Sequence, residues 1–258
     1  MSPHRFFLTC PLPDAAMQGV ELPLSGSDRH HLARVLRLEA GDPVVVVGTD
    51  GREAEATLVV VSHDQVTADL DAPVQRPTRP RVSLAPALVR RERMEFAIQK
   101  VAELGVAEVL PIGTARSVVR LDDEKAGKRV ERWRRIAVEA AKQSQRTDVP
   151  VVRDPLPFSG LLAELGRFDV VLVPWEEAAS GGLGIGGALD AAGAAPDTSV
   201  LVVIGPEGGL EEGEVAALEA AGAVIVTLGD TVLRTETASA VAVSLATYEL
   251  GGLGGRGR

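Results

Sequence analysis

The sequence predicts an α/β protein in which a small β-rich domain precedes a larger domain built on a parallel sheet. Short β-branched runs separated by turn residues, such as Val66–Leu70, fill residues 1–72. From Val82 onward, such runs alternate with amphipathic stretches long enough for helices, the pattern of a parallel sheet covered by helices. Between these patterns, the prolines of Pro73–Arg81 predict an extended linker.

Length and composition fit a globular protein with two domains, which we place at 1–75 and 76–258. The 258 residues are 45% apolar, enough to bury a core in each domain. The single cysteine, Cys10, cannot form an internal disulfide. The apolar start Phe6–Cys10 is too short for a signal peptide or a membrane span. We expect a cytoplasmic protein with no membrane segment.

The net charge of −9 argues against indiscriminate nucleic-acid binding, because affinity for polyanions comes mainly from lysine and arginine. The charge is unevenly distributed. Residues 79–153 carry 17 basic and 10 acidic groups, whereas residues 1–78 carry 6 and 11, and residues 154–258 carry 4 and 15. A basic middle indicates either a localised polyanion footprint or a solvated helix surface, and charge alone leaves both open.

A short helix around His30–His31 is predicted inside the first domain, with Ser27 or Asp28 as its cap and Gly41 at its end. Two adjacent histidines are also a pair of metal-ligand candidates. No third and fourth ligand follow at a suitable spacing, so we expect structural or surface histidines and no metal site.

Two helices are predicted in the first half of the second domain. The first follows the strand Val82–Leu88 and ends at Gly105, before the strand Val106–Ile112. The second spans Lys128–Ser144, and one of its faces is charged at intervals of three or four residues: Arg132, Arg135, Glu139, Lys142 and Arg146. This stripe predicts either a phosphate-tracking surface or an exposed, ion-paired helix face.

The glycine run Gly181–Gly187 contains a G-x-G-x-x-G pattern after a third strand, Asp169–Val173. A dinucleotide-binding fingerprint must follow its strand at once and open a helix. Here Glu176–Ser180 intervene, and no strand ending in an acidic residue follows at the required distance. We therefore interpret the run as a surface loop.

Two further apolar runs, Leu201–Ile204 and Val224–Leu228, end in glycine and open onto the loops Gly205–Gly209 and Gly229–Ala238. In a parallel sheet such junctions lie at the same edge, where ligands bind. Glycines also let main-chain groups lie close against a flat ligand. Taken alone, the first loop indicates no more than a turn that starts a helix.

Helices are predicted to follow both loops. The first spans Glu211–Ala221 and the second spans Thr237–Leu250. Thr235 or Thr237 is placed to cap the second helix.

Together the two junctions resemble the cofactor-binding segments of the SPOUT class of RNA methyltransferases. The matching stretches are V-I-G-P-E-G-G-L at 203–210 and L-G-x-x-V-L-R-T-E-T-A at 228–238. Within that class the chain resembles the RsmE-type family, which methylates N3 of a uridine in 16S ribosomal RNA of the small subunit. Similarity to this family continues, in the family's order, through His30–Arg37, Gln99–Gly105, Thr114–Ser117 and Glu131–Arg146.

The resemblance implies a fold, a cofactor and partners. It implies a PUA-like, β-rich RNA-binding domain at 1–75 and a SPOUT-type α/β domain at 76–258, in which helices flank a trefoil-knotted parallel sheet. The implied cofactor is S-adenosyl-L-methionine, bound in the knot. The expected partners are ribosomal RNA within the small subunit and a second copy of the chain, because members of the class are homodimers with the active site at the subunit interface.

Candidate site residues follow from the resemblance. Arg234 is expected to stabilise the imide anion that forms when the uridine N3 loses its proton, and Glu236 to act as a base or to hold the loop or Arg234 in place. The expected cofactor-binding residues are Val173, Pro174, Ile204, Gly205, Pro206, Glu207, Gly208, Leu228, Gly229, Leu233, Thr235, Thr237 and Ala238. The expected RNA contacts are Arg5, Arg90, Arg91, Arg116, Arg132, Arg135 and Arg146.

Three alternatives stay open at this point. The first is a ribose 2′-O-methyltransferase of the same class, and the second is an RNA-binding assembly factor without catalytic activity. A nicotinamide-dependent dehydrogenase built on Gly182–Gly187 is a distant third.

Overall fold

The computed structural model describes residues 3–62, 64–75, 80–117, 123–178 and 182–255. The chain forms two compact units: the N-terminal unit comprises Met1–Thr78 with Ala141–Asp148, and the C-terminal unit comprises Arg79–Ala140 with Val149–Arg258. Residues 76–79 of the predicted linker, His63 of the turn predicted at 62–64, and Gly181 of the predicted glycine loop lie outside the described residues. The linker's described residues Val74 and Gln75 form a short strand instead.

The N-terminal unit is a mainly antiparallel sheet that encloses an apolar core. Its strands are β1 (His4–Phe7), β2 (Met17–Glu21), β3 (Pro43–Val47), β4 (Arg52–Val61), β5 (Val66–Leu70) and β6 (Val74–Gln75). They lie in the order β1-β3-β4-β5-β2, with β6 beside β4 and with β1 parallel to β3. Alternate residues of β4, among them Leu58, are buried, as expected for a strand with one face on a core, and Phe6 of β1 packs in the same core.

The predicted helix of this unit is shorter than expected and has a different cap. Helix α1 (Gly26–His30) is followed by a single π turn, His31–Val35. The cap is Ser25, whose hydroxyl accepts a hydrogen bond from the Asp28 amide at 3.1 Å. The prediction of Ser27 or Asp28 as the cap is therefore wrong, because the helix begins at Gly26 and both residues already lie inside it.

The C-terminal unit contains a six-stranded, entirely parallel sheet. Its strands are β7 (Arg81–Pro86), β8 (Glu108–Val109), β10 (Val151–Val152), β12 (Val170–Pro174), β13 (Ser199–Ile204) and β14 (Val224–Val226), in the order β10-β8-β7-β13-β12-β14. Two short strands, β9 (Ile112–Gly113) and β11 (Leu156–Pro157), pair separately. The predicted strand Val106–Ile112 is thus two short pieces, β8 and the start of β9, broken at Pro111.

Helices connect these strands. They are α2 (Arg91–Glu103), α3 (Asp123–Gln143), α4 (Phe158–Glu164), α5 (Ile185–Ala191), α6 (Glu212–Ala220) and α7 (Thr235–Glu249). Helix α2 buries Met94, Ile98 and Val101 as its 3.6-residue spacing predicts. Strand β13 is buried along its whole length, which explains its uninterrupted apolar sequence. No helix among the described residues is long and apolar enough to span a membrane.

Two predicted features of the C-terminal unit are corrected. The described part of the glycine run is not only a surface loop, because Gly184 is the N-cap of α5 and Ile185 and Leu189 are buried. Helix α7 begins at Thr235 with Arg234 as its N-cap, and no side chain caps it. Neither Thr235 nor Thr237 therefore has the predicted capping role.

Ser25→Ala should destabilise the N-terminal unit, because it leaves the Asp28 amide without its side-chain acceptor. We expect a loss of about 1 kcal/mol in the free energy of unfolding, measured by urea titration. Ser27→Ala is the matched control, since among the described residues the Ser27 hydroxyl hydrogen-bonds only to the Ser25 hydroxyl, and it should cost less than about 0.5 kcal/mol. A larger loss for Ser27→Ala than for Ser25→Ala would show that Ser27, as predicted from the sequence, is the cap.

Candidate functional site

A cavity of about 210 Å³ lies where three neighbouring parallel strands end. Its walls come from the segments that follow β12, β13 and β14, together with the first turns of α2 and α7. Parallel strands place their carboxyl ends at one edge of the sheet, so these segments meet although they are far apart in the sequence. The lining residues are Arg93, Pro174, Trp175, Glu176, Pro206, Glu207, Thr227, Leu228, Gly229, Thr231, Val232, Leu233, Arg234 and Ala238.

About half of the predicted cofactor-binding residues line this cavity: Pro174, Pro206, Glu207, Leu228, Gly229, Leu233 and Ala238. The others lie in the same loops, strands and helix without lining it: Val173, Ile204, Gly205, Gly208, Thr235 and Thr237. Sequence reasoning missed Trp175, Glu176 and Arg93. The first two directly follow a predicted strand, so the rule that ligands bind at carboxyl ends could have found them. No sequence signal marks Arg93.

The two glycine-containing loops are joined by one hydrogen bond. The Thr235 hydroxyl donates to the Gly205 carbonyl oxygen at 3.1 Å, and Thr235 is only 4% exposed. This bond connects the end of β13 to the start of α7. Thr235 is therefore a link between the loops, which explains why its hydroxyl does not cap the helix.

Two arginines hold the loop Gly205–Gly209 from outside. Arg93 of α2 forms an ion pair with Glu207 at 2.8 Å. Arg116 donates to the Gly208 carbonyl oxygen at 2.8 Å and lies 3.8 Å from Glu211. The guanidinium of Arg116, which was predicted to contact RNA, is thus engaged in holding this loop.

Gly209 meets a conformational requirement that other residues do not. Its φ is +72°, in the left-handed region that side chains rarely adopt. A Cβ there would also lie 2.1 Å from Glu176 Oε1. The glycine lets the Glu176 carboxylate lie directly against the loop and face the cavity.

The predicted catalytic residues stand at the start of α7. Arg234 is exposed and lines the cavity, and its guanidinium forms no hydrogen bond or ion pair with the described residues. Glu236 does not line the cavity, and its Oε2 is buried without a hydrogen-bond partner in the part of the chain described. The Nε1 of Trp175 is likewise buried and unpartnered there. Of these three residues, Arg234 and Trp175 line the cavity.

Apart from Arg116, the arginines predicted to contact RNA fall into two groups. Arg90, Arg91, Arg132 and Arg135 are exposed. Arg132 and Arg91 both donate to Glu95, and these hydrogen bonds hold the pKa of the Glu95 carboxyl below its usual value.

Arg5 and Arg146 belong to the second group, and their placement does not fit the prediction. Arg5 is 8% exposed and pairs with Glu53 at 2.6 Å. Arg146 is 0% exposed and pairs with Asp148. Buried guanidinium groups cannot present charge to an external polyanion, so both side chains form ion pairs inside the N-terminal unit.

Among the described residues, no group of three or more histidine, cysteine, aspartate or glutamate side chains could hold a metal ion. The cavity therefore offers main-chain groups, apolar side chains and single charges as its means of binding a ligand.

Comparison with known proteins extends this description. Residues 76–247 match the model of an RNA methyltransferase domain, and residues 24–71 match an RNA methyltransferase PUA domain. The ribosomal RNA small subunit methyltransferase E of Bacillus subtilis (strain 168) is 38% identical over 88% of this chain and 89% of its own. The chain belongs to the ribosomal RNA small subunit methyltransferase E family.

Other members of this family agree with the assignment. The Mycobacterium bovis protein of the same name is 35% identical over 90% of this chain and 87% of its own. The crystal structure of the Neisseria gonorrhoeae member, bound to S-adenosyl methionine, superposes with a TM-score of 0.79. It is 28% identical and covers 94% of this chain and 96% of its own. The α/β fold with a mostly parallel sheet and an N-terminal PUA domain is therefore confirmed.

Thr235→Val should destabilise the C-terminal unit, because it keeps the shape of the side chain but removes the donor to Gly205. We expect a loss of about 1 kcal/mol in the free energy of unfolding, measured by urea titration. Thr247→Val is the matched control on the same helix, since the Thr247 hydroxyl is buried without a partner among the described residues. That control should be neutral or stabilising. Equal losses for the two variants would show that the Thr235 bond has no specific role.

Proposed function

We propose that this chain transfers a methyl group from S-adenosyl-L-methionine to N3 of a uridine in 16S ribosomal RNA of the small ribosomal subunit. The observation that carries the proposal is the cavity at the carboxyl ends of β12, β13 and β14, in a chain of this methyltransferase family. The loops at that edge are held in place by bonds within the chain, while Arg234 faces the cavity unpaired with the described residues.

The cavity fits the proposed donor in its chemistry. Leu228, Leu233 and Ala238 offer apolar surface to the adenine ring, and Glu176 and Glu207 offer carboxylates to hydroxyl or ammonium groups. The remaining proposed cofactor contacts are main-chain groups of the loops around Val173–Pro174, Ile204–Gly208, Gly229 and Thr235–Ala238. The unpartnered Trp175 Nε1–H would supply one further donor at this edge.

The bound donor supplies an electrophilic methyl group on a positively charged sulfur, which a nucleophile must approach in line. The chain therefore contributes mainly by positioning the donor and the nucleophile. The Thr235–Gly205 hydrogen bond and the Arg93–Glu207 ion pair fix the loop that would lie against the donor. A wall fixed before binding loses little conformational entropy when the reactants assemble.

Arg234 is proposed to stabilise the charge that develops on the uracil ring when N3 loses its proton. Its guanidinium is permanently charged, presents several donors in a plane and has no competing partner among the described residues. Glu236 is proposed either to accept that proton or to orient Arg234. Its buried, unpartnered Oε2 is consistent with both roles.

The exposed arginines Arg90, Arg91, Arg132 and Arg135 are proposed to contact RNA phosphates. They belong to the basic middle of the sequence and lie at the start of α2 and along α3. Arg91 and Arg132 share the Glu95 carboxylate, so an approaching phosphate would compete with one carboxylate for two arginines.

Three features of the class complete the proposal: a trefoil knot in the 76–258 domain, a homodimer with the active site at its interface, and an RNA-binding role for the 1–75 domain. Packing of α7 against α2, β7 and β13 is compatible with a chain end that returns to the sheet. Because the proposed substrate is ribosomal RNA, we also propose a cytoplasmic location.

Purified chain should methylate small subunits from cells that lack it. The expected product after digestion and mass analysis is a uridine methylated on the base at N3, mapped to one nucleotide of 16S RNA. Methylation on the ribose would favour the 2′-O alternative. Binding of RNA without any methyl transfer would favour a non-catalytic assembly factor.

Arg234→Ala should abolish methyl transfer, because the anion would lose its stabilising charge, while the affinity for S-adenosyl-L-methionine changes only a few-fold. Removing one donor of this kind costs on the order of 100- to 1000-fold in kcat. Turnover is measured with small subunits and donor binding by calorimetry. Arg167→Ala is the control, since Arg167 pairs with Glu108 and Glu164 away from the cavity. Near-normal turnover by Arg234→Ala would remove this residue from the mechanism.

A further inference from the structure

The end of α1 and the turn that follows it form the most basic segment of an otherwise acidic N-terminal unit. Residues 29–38, R-H-H-L-A-R-V-L-R-L, contain three arginines, two histidines and no acidic residue. Residues 1–78 as a whole carry 6 basic and 11 acidic groups. Asp28, directly before the segment, is buried and pairs with Lys142. Within residues 29–38 no carboxylate offsets the positive charge, and Glu39 is the first acidic residue after them.

Arg34 and Arg37 of this turn differ from the other described cations of the unit in having no partner. Arg52 pairs with Asp50 and Asp14, and the cations of Arg5, Lys142 and Arg146 are paired with carboxylates as well. Arg29 donates to the Asp64 carbonyl oxygen. Arg34 and Arg37 are exposed, and neither side chain forms a hydrogen bond or ion pair with any described residue.

The backbone around these two arginines is anchored in the core of the N-terminal unit. Leu32 is fully buried, and Leu36 and Leu38 pack against the same core. Between these anchors the chain makes a π turn, and Arg37 has a φ of +54°, uncommon for a residue with a side chain. Val35, between the two arginines, is 59% exposed. The surface thus combines two unpaired guanidinium groups with an apolar contact.

We infer that Arg34 and Arg37 bind phosphates of the substrate RNA outside the target nucleotide. This inference rests on the proposed function, and it replaces the buried Arg5 as the phosphate contact of the N-terminal unit. RNA is favoured over an acidic protein because the planar guanidinium fork matches phosphate oxygens. The turn also lies within the stretch that matches an RNA methyltransferase PUA domain.

The test is the salt dependence of RNA binding by the double variant Arg34→Gln/Arg37→Gln in the full chain. Each lost phosphate contact lowers the slope of log K against log salt by about 0.7 to 0.9, so two contacts predict a decrease of roughly 1.4 to 1.8. Binding is measured with naked 16S RNA and with small subunits from cells lacking the protein. The KM for RNA should rise, while kcat at saturating RNA and the donor affinity stay unchanged.

Two further variants isolate the turn. Arg34→Lys/Arg37→Lys keeps the charge and should retain most of the slope. Arg153→Gln/Arg167→Gln removes the same number of charges from partly buried pairs with Glu108, and it should leave the slope at its wild-type value.

Two results would overturn the inference. The first is an unchanged slope and KM in the glutamine variant. The second is a KM raised only for assembled subunits, with an unchanged slope on naked RNA. That result would show that the turn binds a ribosomal protein and not RNA. A wild-type chain that methylates no RNA would contradict the proposed function, whereas the binding slope would still decide the role of the turn.

Discussion

The hydrogen bond from Thr235 to the Gly205 carbonyl oxygen joins loops that are 30 residues apart in the sequence, and the cavity depends on that junction. One loop follows β13 and the other precedes α7, and the parallel sheet brings both to the same edge. The bond then fixes the distance between them. Without it, the wall formed by Pro206 and Glu207 and the wall formed by Leu233 and Arg234 would lose this direct link.

The sequence carried enough information to place this edge but not to describe its bonds. Periodicity and β-branched runs predicted most strands and helices, because those patterns reflect burial on one face or on two. Thr235 was assigned to the helix cap because capping is a local rule. In the structure its hydroxyl bonds to another loop, and a contact over 30 residues leaves no local pattern. Arg93 was missed for the same reason, since its partner Glu207 lies 114 residues away.

Charge was the least predictable property from sequence, because the sequence shows how many charges there are but not how they pair. Arg5 and Arg146 resembled surface cations, yet both are buried beside carboxylates. Arg116 belongs to the basic middle, yet it holds the Gly208 carbonyl. A count of basic residues therefore overstates the surface that RNA can use. Pairing in the folded chain separates arginines with structural roles from those free to bind an external anion.

The groups around the cavity divide in the same way. Groups that fix the loops are satisfied: Thr235 by Gly205, Arg93 by Glu207, and the Ala115 amide by Glu214. Groups that would meet the reactants are not satisfied by the described residues, namely the guanidinium of Arg234, Trp175 Nε1 and Glu236 Oε2. An unpaired buried polar atom destabilises a fold unless a ligand or water completes it. Arg234 and Trp175 line one cavity, and this supports, apart from family resemblance, the proposal that the chemistry takes place there.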